Sequence, residues 1–353
     1  MTTKFMKGND AISEAAVLCG CRYFFGYPIT PQNEIPEYMS WRLPEVGGTF
    51  IQAESEIAAI NMVYGAAGAG ARVMTSSSSP GVSLKMEGIS YIAGADLPCV
   101  IVNIQRAGPG LGGIQPSQAD YFQATKGGGH GDYRCIVYAP STLQEAVDLV
   151  QLAFDKADEY RTPVMILGDG LIGQMMEPVT FGEHEPVEAE KPWAATGWDR
   201  VSRPRAVINS LSLDANELER WNIERQKRYQ LIQETEVKYT TMNAEACDIL
   251  VVAYGSVARI MRSVVDSSIA GGDTANIGLF CPLTLWPFPE KELAALAKGK
   301  KAVVCVEMSA GQMLEDVKLA VMEAAPVKFY GRMGGVVPTA EEIYEHIKGL
   351  EVL

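Results

Sequence analysis

The feature that most constrains this chain is an alternation, met twice, of short apolar segments with helix-like patterns. From Gly8 to about Gly170, strand-like runs cover Tyr23–Tyr27, Gly48–Ala53, Val73–Ser76, Pro98–Ile104, Arg134–Tyr138 and Pro163–Gly168. Helical patterns lie between them, among them Ala11–Leu18, Pro80–Ala93 and Thr142–Lys156. Strands that run in one direction need crossovers, and crossover helices cover the faces of the sheet. The alternation therefore predicts an α/β fold with a doubly wound parallel sheet, and it puts any site beyond the carboxyl ends of the strands. From Cys247 the pattern resumes through DILVVAYGS, NIGLFCPLTLWPF, KAVVCVEMS and VKFYGR. Helices over Val257–Val265, Glu290–Ala297, Gln312–Ala324 and Thr339–Ile347 complete a second, smaller α/β unit.

The stretch between the two units reads differently. Glu177-Pro178, Glu185-Pro186, Lys191-Pro192 and Arg203-Pro204 mark an irregular connector, since the residue before each proline is pushed out of the helical region. After it, ANELERWNIERQKRYQLIQETEVKY reads as a long exposed bridging helix, with Leu218, Trp221, Tyr229 and Ile232 on a sparse apolar face. The expected partition is 1–175, 176–245 and 246–353.

Composition narrows the function classes. A formal net charge of −13 disfavours nucleic acid and anionic membrane, which both need a basic footprint. The seven cysteines include no C-x-x-C pair, so this chain suggests neither a zinc site nor a set of iron–sulfur ligands. Scattered thiols in apolar contexts, with no signal core or membrane-length apolar run, point to a cytoplasmic protein.

Chemistry could sit at several strand ends. Gln52–Gly70, QAESEIAAINMVYGAAGAG, places Glu54 and Glu56 at a strand-to-helix junction, where a carboxylate is either a simple helix-end charge or an acceptor aimed at a cofactor. Pro28 and Pro31 restrain the backbone around Thr30, either preorganising a donor for a substrate carboxylate or carbonyl or merely capping the next helix. The hydroxyl-rich Thr75–Ser79 turn suits an anion or a set of helix caps.

Gly108, Gly110 and Gly113 match G-x-G-x-x-G literally, yet no apolar helix opens there and Pro109 sits inside. The segment reads instead as a flexible glycine loop carrying Arg106, either a bidentate partner for a substrate carboxylate or a surface arginine. His130, in the glycine loop Lys126–Asp132, is a donor to substrate or incidental. Asp169 lies in a G-D-G sequence without the asparagine that completes a thiamin-diphosphate magnesium motif, and reads as a turn residue.

Together GYPITP, AESEIAAINMVYGAAGAGARVMTSSSSPG, NIQRAGPGLGGIQPSQADYFQATKGGGHGDY, VVAYGS, CPLTLWPFP and VEMSAGQM resemble the α-type subunit of 2-oxoacid:ferredoxin oxidoreductases, nearest the branched-chain (2-oxoisovalerate) type. The resemblance implies a thiamin-diphosphate pyrimidine-binding domain followed by a transketolase C-terminal-like domain. It places the catalytic carboxylate on Glu56, at N1′ of the aminopyrimidine, with Pro28, Ile29 and Ser77 beside the cofactor. Substrate contacts fall on Thr30 and Arg106, with His130 as a further candidate.

The resemblance also implies a β subunit with the diphosphate and Mg2+ site and a [4Fe-4S] cluster. Ferredoxin-like and gamma-type subunits, ferredoxin as acceptor and coenzyme A as acyl acceptor complete the expectation, with no metal on this chain. Two alternatives follow: the same chemistry on 2-oxoglutarate or another 2-oxo acid, or a non-catalytic assembly subunit. A dicarboxylic substrate calls for a second cation, for which Arg22 and Lys126 are available.

Overall fold

The computed structural model describes residues 2–182, 190–198, 200–202, 204–271 and 276–350; Glu185-Pro186 and Arg203 of the expected connector lie outside them. The first part of the chain runs β1 (Thr2–Lys7), α1 (Gly8–Leu18), β2 (Tyr23–Gly26), α2 (Glu34–Glu45), β3 (Thr49–Gln52), α3 (Glu56–Gly68), β4 (Val73–Ser77) and α4 (Ser79–Gly94). It continues with β5 (Cys99–Gln105), α5 (Tyr121–Thr125), β6 (Ile136–Tyr138), α6 (Leu143–Tyr160), β7 (Pro163–Asp169), α7 (Gly170–Gln174) and β8 (Met176–Phe181). The remainder is α8 (Ala215–Thr235), β9 (Tyr239–Met242), β10 (Ile249–Val252), α9 (Gly255–Gly271), β11 (Ile277–Pro282), β12 (Thr284–Trp286), α10 (Glu290–Ala297), β13 (Ala302–Glu307), α11 (Gln312–Val321), β14 (Val327–Gly331) and α12 (Ala340–Lys348).

A seven-stranded sheet has the order β12-β6-β7-β5-β4-β2-β3, all parallel except β12. A five-stranded sheet has the order β14-β13-β10-β11-β9, parallel except β9. Both are α/β layers of the expected kind. Because helices cover both faces, strand residues alternate between two cores. Val100, Val102 and Ile104 of β5 face one core, while Cys99 and Ile101 face the other. That second core also takes in Leu250, Val252, Val303 and Cys305 of the five-stranded sheet, so one continuous apolar layer joins the two sheets.

Three features depart from the sequence reading. The expected single strand NIGLFCPLTLWPF divides: β11 stays with the smaller sheet, while β12 crosses back and pairs antiparallel with β6 of the larger one. The N-terminal residues form β1, which pairs antiparallel with β8 at the start of the supposed irregular connector. α2 was hidden by its prolines, Pro36 early and Pro44 in the last turn, where they interrupt few helical hydrogen bonds.

The long helix α8 forms and docks. Tyr229 and Ile232 are buried, and Tyr229 meets Trp286 of β12 edge-to-face at 5.6 Å. Arg225 and Arg228 both reach Asp96, at 3.2 Å for the first, and Arg225 Nη2 donates to the Gly94 carbonyl at the end of α4. Leu218 remains exposed, so the apolar face is shorter than its pattern suggested.

Candidate active site

Five parallel strands of the large sheet deliver functional candidates to one edge, because each turns into its helix at the same end. Thr30 follows β2, Glu56 follows β3, Ser77 ends β4, Arg106 follows β5 and Asp169 ends β7. Two centres of opposite charge result.

Around Glu56 the local sequence fixes the geometry. Ser55 is extended and its Oγ accepts from Ala58 N at 3.2 Å, so α3 starts with Glu56 in its first turn. Glu56 is 7% exposed, whereas Glu54 is open to solvent. Opposite lies Gly81 of α4, where a Cβ would fall 2.2 Å from Ser77 Oγ and 2.7 Å from Glu56 Oε1. Only glycine leaves room there. Ser77 Oγ and Ser78 Oγ are buried without hydrogen-bond partners. A buried polar atom left unpaired costs about 1–3 kcal/mol, so these two hydroxyls have capacity for a polar ligand.

Sequence reasoning missed Lys85. It is 0% exposed, and its Nζ donates to Thr75 Oγ1 at 3.1 Å, which in turn donates to the Phe25 carbonyl at 2.6 Å. Burial pushes the Lys85 amine down to about 8, partly opposed by the charge of Glu56. The available signal was a lysine among Val82, Met86 and Ile89, on the stripe that α4 buries.

Arg106 forms the second centre. It is 8% exposed, with Nη1 donating to the Thr30 carbonyl at 3.0 Å and Nη2 to the Leu111 carbonyl at 3.4 Å; Nε is buried and unpartnered. The expectation that the glycine loop carries Arg106 is corrected: the residue directly follows β5 and bridges to Pro116, and the loop begins after it. The arginine backbone is fixed by a bridge to Pro116 and by its N–H donating to Ser79 Oγ at 3.0 Å. Ser79 Oγ also donates to Asp120 at 2.6 Å, and Asn103 donates to the same oxygen at 2.9 Å. Burial raises the Asp120 pKa against these two bonds.

Thr30 is held mainly through backbone. Besides the Arg106 contact, the next carbonyl, of Pro31, accepts from Asn9 at 2.9 Å and Gln174 at 3.0 Å. The Thr30 hydroxyl accepts a long bond of 3.4 Å from Asn33. Pro28 is exposed and Ile29 half-buried at the same turn.

Two clefts open on either side of the Arg106–Thr30 contact. One, of about 500 Å³, includes Thr30, Glu34, Gln115 and Leu171. The other, of about 570 Å³, includes Arg106, Pro80 and Asp120 from the first unit and Met308, Ser309 and Met333 from the second.

The remaining candidates lie elsewhere. His130 is exposed; its carbonyl accepts from Ser90 Oγ at 2.6 Å and its ring stands edge-on to Tyr91. Ser90 is eleven residues beyond Ser79 on α4, about 16 Å along the axis, so this chain does not bring His130 to either centre. Asp169 is no simple turn residue: it is buried, caps α7 through Leu171 N and Ile172 N, and accepts from Ser256 Oγ of α9 at 2.7 Å. Arg22 donates to the carbonyls of Val17 and Cys21 at the amino end of β2, and Lys126 is paired with Asp316.

The family model for pyruvate flavodoxin/ferredoxin oxidoreductase, thiamine diphosphate-binding, matches residues 14–248. That for pyruvate:ferredoxin oxidoreductase core domain II matches 247–343. The ketoisovalerate oxidoreductase subunit VorB of Methanothermobacter marburgensis is 48% identical over 99% of this chain and 98% of its own. The 2-oxoglutarate synthase subunit KorA of Methanothermobacter thermautotrophicus is 36% identical over 97% of each. A solved structure of 2-oxoglutarate:ferredoxin oxidoreductase from Magnetococcus marinus, with 2-oxoglutarate, coenzyme A and succinyl-CoA bound, superposes with a TM-score of 0.84 at 25% identity. That match covers 98% of this chain and 65% of the other. Among the described residues, no helix is long and apolar enough to cross a membrane.

Proposed function

Since the chain belongs to the thiamin diphosphate-binding 2-oxoacid:ferredoxin oxidoreductase family, we propose that it is the α-type subunit for branched-chain 2-oxo acids such as 2-oxoisovalerate. One observation carries the choice of substrate: among the described residues, Arg106 is the sole cation lining either cleft, and Pro80, Met308 and Met333 line its cleft with it. One guanidinium suits one carboxylate, and apolar walls suit a hydrocarbon tail. A second substrate carboxylate would find no further cation among the described residues that line these clefts.

The residues present fit the aminopyrimidine of thiamin diphosphate: a buried carboxylate, two unpaired hydroxyls and a glycine whose missing side chain lets Glu56 and Ser77 come together. When bound, that cofactor supplies the carbon nucleophile and electron sink for decarboxylating a 2-oxo acid. Glu56 Oε1 would exchange a proton with the ring nitrogen, and Ser77 would bind beside it. Arg106 would hold the substrate carboxylate, its Nη1 already oriented by the Thr30 carbonyl, while Thr30 Oγ1 would donate to carboxylate or carbonyl. The clamped Thr30–Pro31 backbone and Arg106 would need little reorganisation on binding, which favours catalysis.

We assign Mg2+, the diphosphate site and a [4Fe-4S] cluster to a β subunit, with ferredoxin-like and gamma-type subunits passing electrons to ferredoxin and coenzyme A taking the acyl group. The described cysteines are all free and buried, which supports work in the cytoplasm. The test is to purify the tagged chain with its native partners without oxygen. Coenzyme A-dependent viologen reduction is then measured with 2-oxoisovalerate, pyruvate, 2-oxoglutarate and phenylpyruvate. Preference for 2-oxoisovalerate is the expected result; preference for 2-oxoglutarate would overturn the substrate assignment, and no turnover with any of them would overturn the enzymatic one.

A further inference from the structure

Lys85 differs from three other buried charges, Asp169 and Arg106 at this edge and Glu307 at the end of β13 in the smaller sheet. Asp169 accepts from Ser256 Oγ and two backbone N–H groups, Glu307 from Ser309 Oγ and two, and Arg106 donates to two carbonyls. The Lys85 ammonium has three N–H donors but, among the described residues, a single hydrogen bond, to the neutral Thr75 hydroxyl. Its side chain is fully removed from water. A buried cation is costly unless a nearby charge compensates it.

The compensating charge is Glu56, and helix packing explains why. Gly81, Lys85 and Gly88 recur at helical spacing, so they share one face of α4. Gly81 abuts Glu56 Oε1, and a Cβ on Gly88 would lie 2.5 Å from Ile60 Cγ2. The two glycines thus let α4 lie directly on the Glu56–Ile60 face of α3, with Lys85 between them. A helical side chain leans toward the start of its helix, which directs Lys85 back toward Gly81 and Glu56. The two groups form no direct ion pair, and Glu56 is the charged group that acts on Lys85 through space. Neither the β4 strand beneath, with Thr75 and Ser77, nor the apolar positions Ala59 and Ile60 of α3 add another charge.

We propose that Lys85 is a positioning residue for Glu56: its buried ammonium holds the carboxylate as the anion. It thereby sets the lowest pH at which Glu56 exchanges a proton with a bound aminopyrimidine. This rests on the reading of Glu56 given above. In a poorly polarisable interior a nearby opposite charge favours the ionised form of both partners.

The test uses the complete complex carrying Lys85→Met, which drops the charge at similar length, and Lys85→Arg, which keeps it. Two pH midpoints are read: the acid limb of kcat/KM for 2-oxoisovalerate, and the pH dependence of thiamin diphosphate affinity by calorimetry, which needs no turnover. Lys85→Met should move both midpoints upward by on the order of one pH unit. Lys85→Arg should return them toward the parent values, and in a Glu56→Gln background Lys85→Met should shift no binding midpoint. Unmoved midpoints, whatever the melting temperature does, would overturn the proposal and leave Lys85 a core residue. If the methionine variant does not assemble, Lys85→Gln removes the charge while keeping a donor for Thr75, and the same midpoints decide. Failure of the Glu56 reading is separate: Glu56→Gln alone would then bind thiamin diphosphate and turn over like the parent.

Discussion

The two charged centres at the carboxyl edge of the large sheet are built in opposite ways. Arg106 is clamped at backbone and guanidinium, and its cleft is closed by Met308, Ser309 and Met333 from the second unit of the same chain. Glu56 sits instead against Gly81 and unpaired Ser77 of the first unit, with Lys85 on the same face of α4, and Ile57 after Glu56 and Leu84 before Lys85 are exposed. One half of the site is thus held by the chain's own tertiary structure, with Arg106 Nε as its unpaired group. The other half is left with unsatisfied polar atoms and an open rim, which accords with a cofactor and a partner subunit completing it.

If that contrast is sound, the Glu56 side should be all chemistry and the Arg106 side all substrate binding. Glu56→Gln is isosteric, so turnover in the complex should fall by about 10²–10⁴-fold with no loss of folding stability; unchanged turnover breaks the contrast at its root. Next comes the energetic cost of the Glu56 side. The native chain loses the Lys85 proton near pH 8, whereas the unfolded chain keeps it to the ordinary lysine value. The unfolded state therefore binds more protons in that window, and stability should rise with pH across it, by on the order of 3 kcal/mol in full. Denaturant titrations at several pH values should show the rise in the parent and its absence in Lys85→Met.

On the Arg106 side, Arg106→Lys keeps charge but loses the planar fork. We expect KM for 2-oxoisovalerate to rise roughly tenfold, equivalent to about 1.4 kcal/mol, with kcat less affected. A fall confined to kcat would move Arg106 to the chemical side of the comparison. The smallest effect belongs to His130, which faces solvent beside Tyr91 far along α4. His130→Ala should change both stability and kcat/KM by no more than about 0.5 kcal/mol, and a larger loss of kcat/KM in the complex would show that a partner brings this loop to the site.

How much of this was legible beforehand varied with the physics involved. The strand-to-helix alternation located β2, β4, β5 and β7 to within a residue or two, because burial on both faces leaves continuous apolar runs. Glu56, Thr30 and Arg106 were legible as residues at strand ends. Asp120 and Lys85 were not: an aspartate in a polar loop and a lysine in a helix both look solvated until the fold buries them. Asp169 was visible, but its role as a cap joining α7 to Ser256 depends on a residue 87 positions away.

Sequence by itself determined the class of fold, the edge of the sheet where the candidate residues gather and the acids, hydroxyls and arginine delivered there. These follow from local pattern, since strand direction and turn position are set within a few residues. Only the tertiary structure decided that β12 leaves its neighbours to join the larger sheet, and that Arg106 is a clamped rather than a mobile arginine. It alone decided that Lys85 is buried beside Glu56. Each of those depends on contacts between distant segments, and the free energy of burying a charge or pairing an edge strand is fixed by what packs there, not by the residue's own neighbours in the chain.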